Sequence, residues 1–179
     1  VKEGETVLVP GASGGVGSAL LQLVAARGAR AVAVTTRTKL DQVRTLEPFA
    51  AVARDEGDLI DSVRSALGRD GVEVVADVVG GPDFAPLLEV ITRGGRYTTA
   101  GAIAGPIVDL DLRTLYLNDL DLYGCTVYEP SVFDTLMGYI QRGEVRPVVA
   151  ASWPLADFHA AQEAFSAKSH VGAMVVEIP

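Results

Sequence analysis

Cysteine, lysine and long apolar runs are what this sequence has least of. Its single cysteine, Cys125, excludes an internal disulfide framework and a zinc site built on several thiolates. Only three of its fifteen basic residues are lysines, the basic residues are scattered, and the net charge is −8. Contact with a nucleic acid needs a concentrated cationic face, so no nucleic-acid partner is expected. No apolar stretch approaches the ~20 residues that span a bilayer, and residues 1–5 carry no signal-peptide pattern. The expected setting is cytoplasmic, without a membrane partner. The chain opens on Val1 and enters an apolar strand within five residues, which reads as a piece cut from a longer polypeptide.

What is present is an ordinary globular balance: 179 residues, 49% apolar and 21% charged. Short β-rich runs alternate with segments of helical period, the signature of βαβ units around a parallel sheet. Strands are predicted over 6–9, 31–34, 50–53, 72–79, 96–100 and 120–127. Between them, Val16, Ala19, Leu20, Leu23 and Val24 repeat at helical spacing and Gly28 closes that helix. A second helix over 39–46 is stopped by Pro48, and Asp58 caps a third whose apolar face is Leu59, Ile60, Val63, Ala66 and Leu67. A fourth covers 84–91 and is broken by Gly94-Gly95.

Six strands with helical crossovers predict an α/β fold with a doubly wound parallel sheet of the Rossmann type, over residues 1–128. Residues 129–179 depart from the alternation and form a C-terminal appendage. Its helices are expected near 132–142 and 156–165, a Pro-flanked stretch at 148–153 and a last strand over 173–178.

The run Gly11-Ala12-Ser13-Gly14-Gly15-Val16-Gly17 lies between the first strand and the first helix, the context that gives a glycine loop its meaning. Gly14 would let backbone approach a pyrophosphate, and Gly17 would let the helix close on the strand. The helix N-terminus offers free N–H groups and partial positive charge. Ala12 stands where the general fingerprint has its first glycine. A Walker-type loop is excluded because no lysine follows Gly17.

An NAD-preferring domain places an acid about 20 residues on, at the end of the second strand. Here that place reads Thr35-Thr36-Arg37-Thr38-Lys39, with no acid before Asp41. Hydroxyls with Arg37 and Lys39 suit a 2′-phosphate, which points to NADP(H).

The loop, followed by Ala19 and Gln22, resembles the quinone oxidoreductase branch of the medium-chain dehydrogenases/reductases. So do Asp77-Val78-Val79-Gly80-Gly81, Gly94-Gly95-Arg96-Tyr97 and His170-Val171-Gly172-Ala173-Met174-Val175-Val176. The resemblance implies an NADPH-dependent reductase of quinones, enones or related conjugated carbonyls, usually a homodimer and, given Ala12, zinc-free. It implies that Val78, Val79 and Gly80 line the path from adenosine to nicotinamide, and that Gly101, Ala102 and Ile103 flank the nicotinamide ribose. Relatives often carry a Tyr after the third strand near the 2′-phosphate; Ala53 stands there, and neighbouring Arg54 is the candidate replacement.

It further implies that part of 129–179 was shaped to meet a GroES-like catalytic domain, leaving an exposed apolar patch. The sixth strand would be an edge open to pairing between subunits. Substrate and catalytic groups would come from that other domain, so no catalytic residue is named and this portion alone is expected to bind cofactor with little turnover. Cys125 reads as core, and His159 and His170 as surface or packing residues. A short-chain dehydrogenase is excluded because no tyrosine has a lysine four positions later, and a methyltransferase would want an acid after the second strand. A zinc-dependent alcohol dehydrogenase domain and a non-catalytic NADP(H) sensor remain as alternatives.

Overall fold

Short isolated runs of β-branched and small residues are marginal as helices, and here they pair side by side as strands. In the computed structural model, which describes residues 1–68 and 71–179, six parallel strands form one sheet in the order β3-β2-β1-β4-β5-β6. They are β1 (Thr6–Pro10), β2 (Arg30–Thr35), β3 (Ala50–Ala53), β4 (Val72–Asp77), β5 (Ile91–Thr99) and β6 (Asp121–Gly124). The order reverses between β1 and β4, which opens a crevice at the carboxyl ends of those strands.

Both faces of the sheet are covered, so the central strands read as continuous apolar runs. Along β1 and its neighbours, Leu8, Val32, Val34 and Val75 point to one side, against Ile60 and Val63 of α3 (Leu59–Leu67) and Leu87 and Leu88 of α4 (Phe84–Glu89). Val7, Val9, Ala31, Ala33 and Val74 point to the other, against Leu21 and Val24 of α1 (Gly15–Ala26) and Val43 of α2 (Leu40–Arg44). Asp58 caps α3 by accepting a hydrogen bond from Asp61 N at 2.9 Å.

Gly94-Gly95 does something other than break a helix. The β4–β5 register jumps from Val72↔Ile91 to Val74↔Arg96, so residues 92–95 form a bulge inside one long strand. A Cβ at position 95 would sit 2.3 Å from Ile91 Cγ2, which is why glycine is needed there. The fourth strand stops at Asp77 because that side chain captures the amides of Val79 and Gly80. The sixth strand is shorter than its sequence pattern and ends at Gly124. Cys125 therefore lies just past the edge strand and is exposed, correcting its reading as core. A short helix that periodicity did not reveal, α5 (Leu112–Leu117), precedes β6.

After β6 the chain forms α6 (Pro130–Gln141), then β7 (Val149–Pro154), α7 (Phe158–Ser166) and β8 (Ala173–Glu177). β7 and β8 make a separate two-stranded parallel sheet. Many apolar side chains here are exposed, including Phe133, Val149, Leu155, Phe158 and Ile178. No helix among the described residues is long and apolar enough to cross a membrane.

Leu8 is fully buried at the centre of the larger cluster. Leu8→Ala should lower stability by ~2–5 kcal/mol, the usual cost of a core truncation, read as a shifted denaturant midpoint at constant slope.

Candidate nucleotide-binding site

The loop between β1 and α1 turns on Gly11, whose φ of +66° suits glycine. Ala12, fully buried, donates its N–H to Val34 O at 3.0 Å, so the loop is laced to the end of β2. Gly14 then caps α1 without any side-chain hydrogen bond, and no acid occupies the first turn. The initial amides of α1 are left for an anion, with the helix dipole behind them. Two glycines answer to different needs. A Cβ at position 17 would lie 2.2 Å from Gly11 O and 2.7 Å from Ala12 Cα, so the helix could not close on the loop. A Cβ at position 14 would meet nothing nearer than Gly11 O at 3.4 Å. The chain itself does not require that glycine, which keeps the space above the helix terminus clear.

This terminus faces a cavity of about 610 Å³ at the crevice. One wall is formed by Val34 and Thr35 at the end of β2, by Thr36 and Lys39 in the turn beyond it, and by Arg54 just past β3. The opposite wall is Val78, Val79, Ala100, Gly101 and Ile103. A third comes from the C-terminal segment, which contributes Phe165, Lys168, His170 and Gly172. Among the described residues no carboxylate lines this cavity.

The C-terminal wall is held by backbone pairing. Gly172 N donates to Ser13 O at 2.8 Å, and its φ of +92° with Val148 O crowding the missing Cβ leaves no room for another residue. The Gln22 amide clamps residue 146 from both sides: Nε2 donates to Arg146 O at 2.9 Å and Oε1 accepts from Arg146 N at 2.8 Å. His170, read from sequence as a surface or packing residue, packs its ring against Phe165 and also lines the cavity, although it is far in sequence from the glycine loop. His159 is exposed on α7.

Cations converge at the β2 end. Burial, then the nearby Arg54 and Lys168 charges, hold the Lys39 ammonium below its ordinary range. Burial, then Lys39 and Lys168, do the same to His170. Two of the chain's three lysines line this one cavity. Arg37 turns the other way: its side chain pairs with Glu56 at 3.5 Å and its N–H with Asp55 at 2.7 Å.

Similarity to known proteins agrees with this geometry. Residues 15–142 match the family described as zinc-binding dehydrogenase. An acryloyl-coenzyme A reductase of Metallosphaera sedula is 32% identical across 98% of this chain and 52% of its own length. The chain belongs to the medium-chain dehydrogenase/reductase superfamily. A quinone oxidoreductase of Sus scrofa is 29% identical over 87% of this chain and 49% of its own. The crystal structure of a candidate alcohol dehydrogenase from Sinorhizobium meliloti 1021 superposes with a TM-score of 0.95 at 49% identity, covering 98% of this chain and 49% of that one. The chain therefore spans about half the length of the relatives it matches, and corresponds to the oxidoreductase cofactor-binding domain.

Of the residues singled out from sequence, Ser13, Gly14, Gly15, Val16, Gly17, Thr35, Thr36, Lys39, Arg54, Val78, Val79, Gly101 and Ile103 line this medium-chain dehydrogenase/reductase cavity. Ala12 sits beneath the loop as backbone support, and Gly80 and Ala102 pack against each other behind the wall. Phe165 and Lys168 escaped sequence reasoning because only tertiary pairing brings them here, and the motif that contains Gly172 carried no sign that it meets the glycine loop. Among the described residues, no group of three His, Cys, Asp or Glu side chains is placed to hold a metal ion.

The wall at 78–81 depends on a buried carboxylate. Asp77 Oδ1 accepts from Val79 N at 2.7 Å and Oδ2 from Gly80 N at 3.0 Å, and the Tyr97 hydroxyl donates to Oδ2 as well. Burial, reinforced by Asp77, drives that hydroxyl far above its ordinary range, so it remains a donor. Tyr97→Phe keeps the edge-to-face contact with Phe84 but removes this donor. It should cost ~1–3 kcal/mol in chemical denaturation, the penalty for an under-satisfied buried acceptor, whereas Gly17→Ala should abolish nucleotide binding in calorimetry by forcing α1 off the loop.

Proposed function

We propose that this chain is the NADP(H)-binding portion of an oxidoreductase that passes hydride to a quinone, an enone or a related conjugated carbonyl. The observation that carries the cofactor reading is the gathering of Lys39, Arg54 and Lys168 at the end of β2, where no carboxylate among the described residues lines the cavity. A diol-binding acid is missing at that place, and three cations that raise one another's energy need a compact anion. A 2′-phosphate has that chemistry. The free amides at the α1 terminus would hold the pyrophosphate, and Val78, Val79, Gly101 and Ile103 would offer an apolar berth to the nicotinamide end.

When bound, the nicotinamide supplies the hydride. This chain's residues position it: the glycine loop fixes the phosphates, the Asp77–Tyr97 pair fixes the 78–81 wall, and apolar side chains exclude water. Acryloyl-coenzyme A and quinones share a conjugated carbonyl, and the two relatives bearing those names support that substrate class. The groups that receive the developing oxyanion would stand on a companion domain, consistent with the half-length match, so this portion alone should bind cofactor and turn over little. The exposed edge strand β6 suits pairing with a second copy, giving a homodimer.

Calorimetric titration tests the cofactor. NADPH should bind at least ten-fold more tightly than NADH, the worth of one or more charge-assisted hydrogen bonds at ~1.5–3 kcal/mol each. Lys168 sits at a left-handed φ of +52°. Lys168→Gly should therefore hold or raise the melting temperature while weakening NADPH binding about ten-fold and leaving NADH unchanged. Equal affinity for the two nucleotides would overturn the proposal.

A further inference from the structure

His170 has three features that cofactor positioning by itself leaves unexplained. It lines the cavity at the cationic end, its Nδ1 is buried with no hydrogen-bond partner, and its ring packs at 5.4 Å from that of Phe165. Phe165 in turn carries the Lys168 ammonium 3.6 Å from its ring centroid. The charged groups around the imidazole are Lys39 from the turn before α2, Lys168 from the end of α7, and Arg54 past β3 across the same cavity. No carboxylate lines that space among the described residues.

Burial disfavours the charged form of this histidine, and the Lys39 and Lys168 charges act in the same direction. The field reverses when a phosphate dianion enters. Two negative charges among Lys39, Arg54 and Lys168 then favour the imidazolium, and an imidazolium adds a charge-assisted donor to the phosphate. Resting on the NADP(H) reading above, we infer that His170 is a proton-linked specificity residue: it takes up one proton from solvent as the 2′-phosphate seats, so that binding of NADP(H), and not of NAD(H), strengthens as pH falls.

The balance is one proton taken from water or buffer onto a ring nitrogen, with the phosphate remaining a dianion above its second pKa of ~6. Linkage sets the sign. A group whose pKa is depressed in the free protein and raised in the complex binds a proton only between those two values. Within that window affinity gains up to ten-fold per pH unit as pH drops. Above the raised value, and for a ligand lacking the extra phosphate, pH has no such effect.

The test is calorimetric titration of the full-length protein and its His170→Asn variant with NADPH and with NADH, from pH 6.5 to 8.5, in two buffers of different ionisation enthalpy. The wild type should bind NADPH several-fold more tightly at pH 6.5 than at 8.5 and take up a measurable fraction of a proton. The variant should show a flattened NADPH profile and lose that uptake, and NADH should be insensitive to pH in both proteins, which also reports that the variant is folded. If the variant keeps the wild-type NADPH profile, His170 is not the linked group and the inference fails while the cofactor reading stands. If NADPH binds no better than NADH at any pH, the cofactor reading fails, and the inference with it.

Discussion

The approach of α1 to the backbone of residues 11–12 governs everything built around this crevice. Helix and loop lie so close that an added Cβ at Gly17 would overlap Gly11 O. That closeness aims the helix terminus into the cavity and sets the loop against β2 through Ala12 N and Val34 O. It also leaves Ser13 O free to receive Gly172 N from the C-terminal segment. The aim of the helix terminus, the attachment of the tail and the shape of the third wall thus share one steric requirement at a single residue.

The sheet supplies the rigidity this arrangement needs. β1 is buried along its whole length and flanked by β2 and β4, so the loop leaving it has a fixed origin. β4 ends where Asp77 bonds the amides of Val79 and Gly80, and β5 brings Tyr97 to the same carboxylate. The two walls of the crevice are therefore set by strand ends, which are stiff, instead of by free loops. Among the described residues, the cavity's cations, Lys39, Arg54 and Lys168, gather toward the β2 end, and that asymmetry gives the cavity a cationic end and an apolar end.

Most of the sheet was legible in the sequence because its signals are local. Glycines between a strand and a helix, Asp58 before an apolar stripe and the β-branched runs each report their own surroundings. Non-local features were harder to read. Gly94-Gly95 looks like a helix stop, yet a two-residue signal cannot tell a break from a bulge; only the β4 partner decides it. Arg37 and Lys39 flank one threonine and look equivalent, but Glu56 and Asp55 draw Arg37 outward while Lys39 is left facing the cavity. Lys168 and His170 reach the site because Gly172 pairs with the glycine loop, a contact across nearly the whole chain. A β-rich run around Cys125 has the pattern of a buried strand, but the edge strand that precedes it is exposed on its whole length.

The central claim is that amides at the start of α1 receive the phosphates of a dinucleotide. Titrating nitrogen-15-labelled protein with NADPH and tracking the backbone resonances of Gly15, Val16 and Gly17 tests it directly. Large, saturable shifts at these three amides, reaching completion together with those of Lys39, are the predicted result. Resonances that stay in place while the nucleotide binds elsewhere would contradict it.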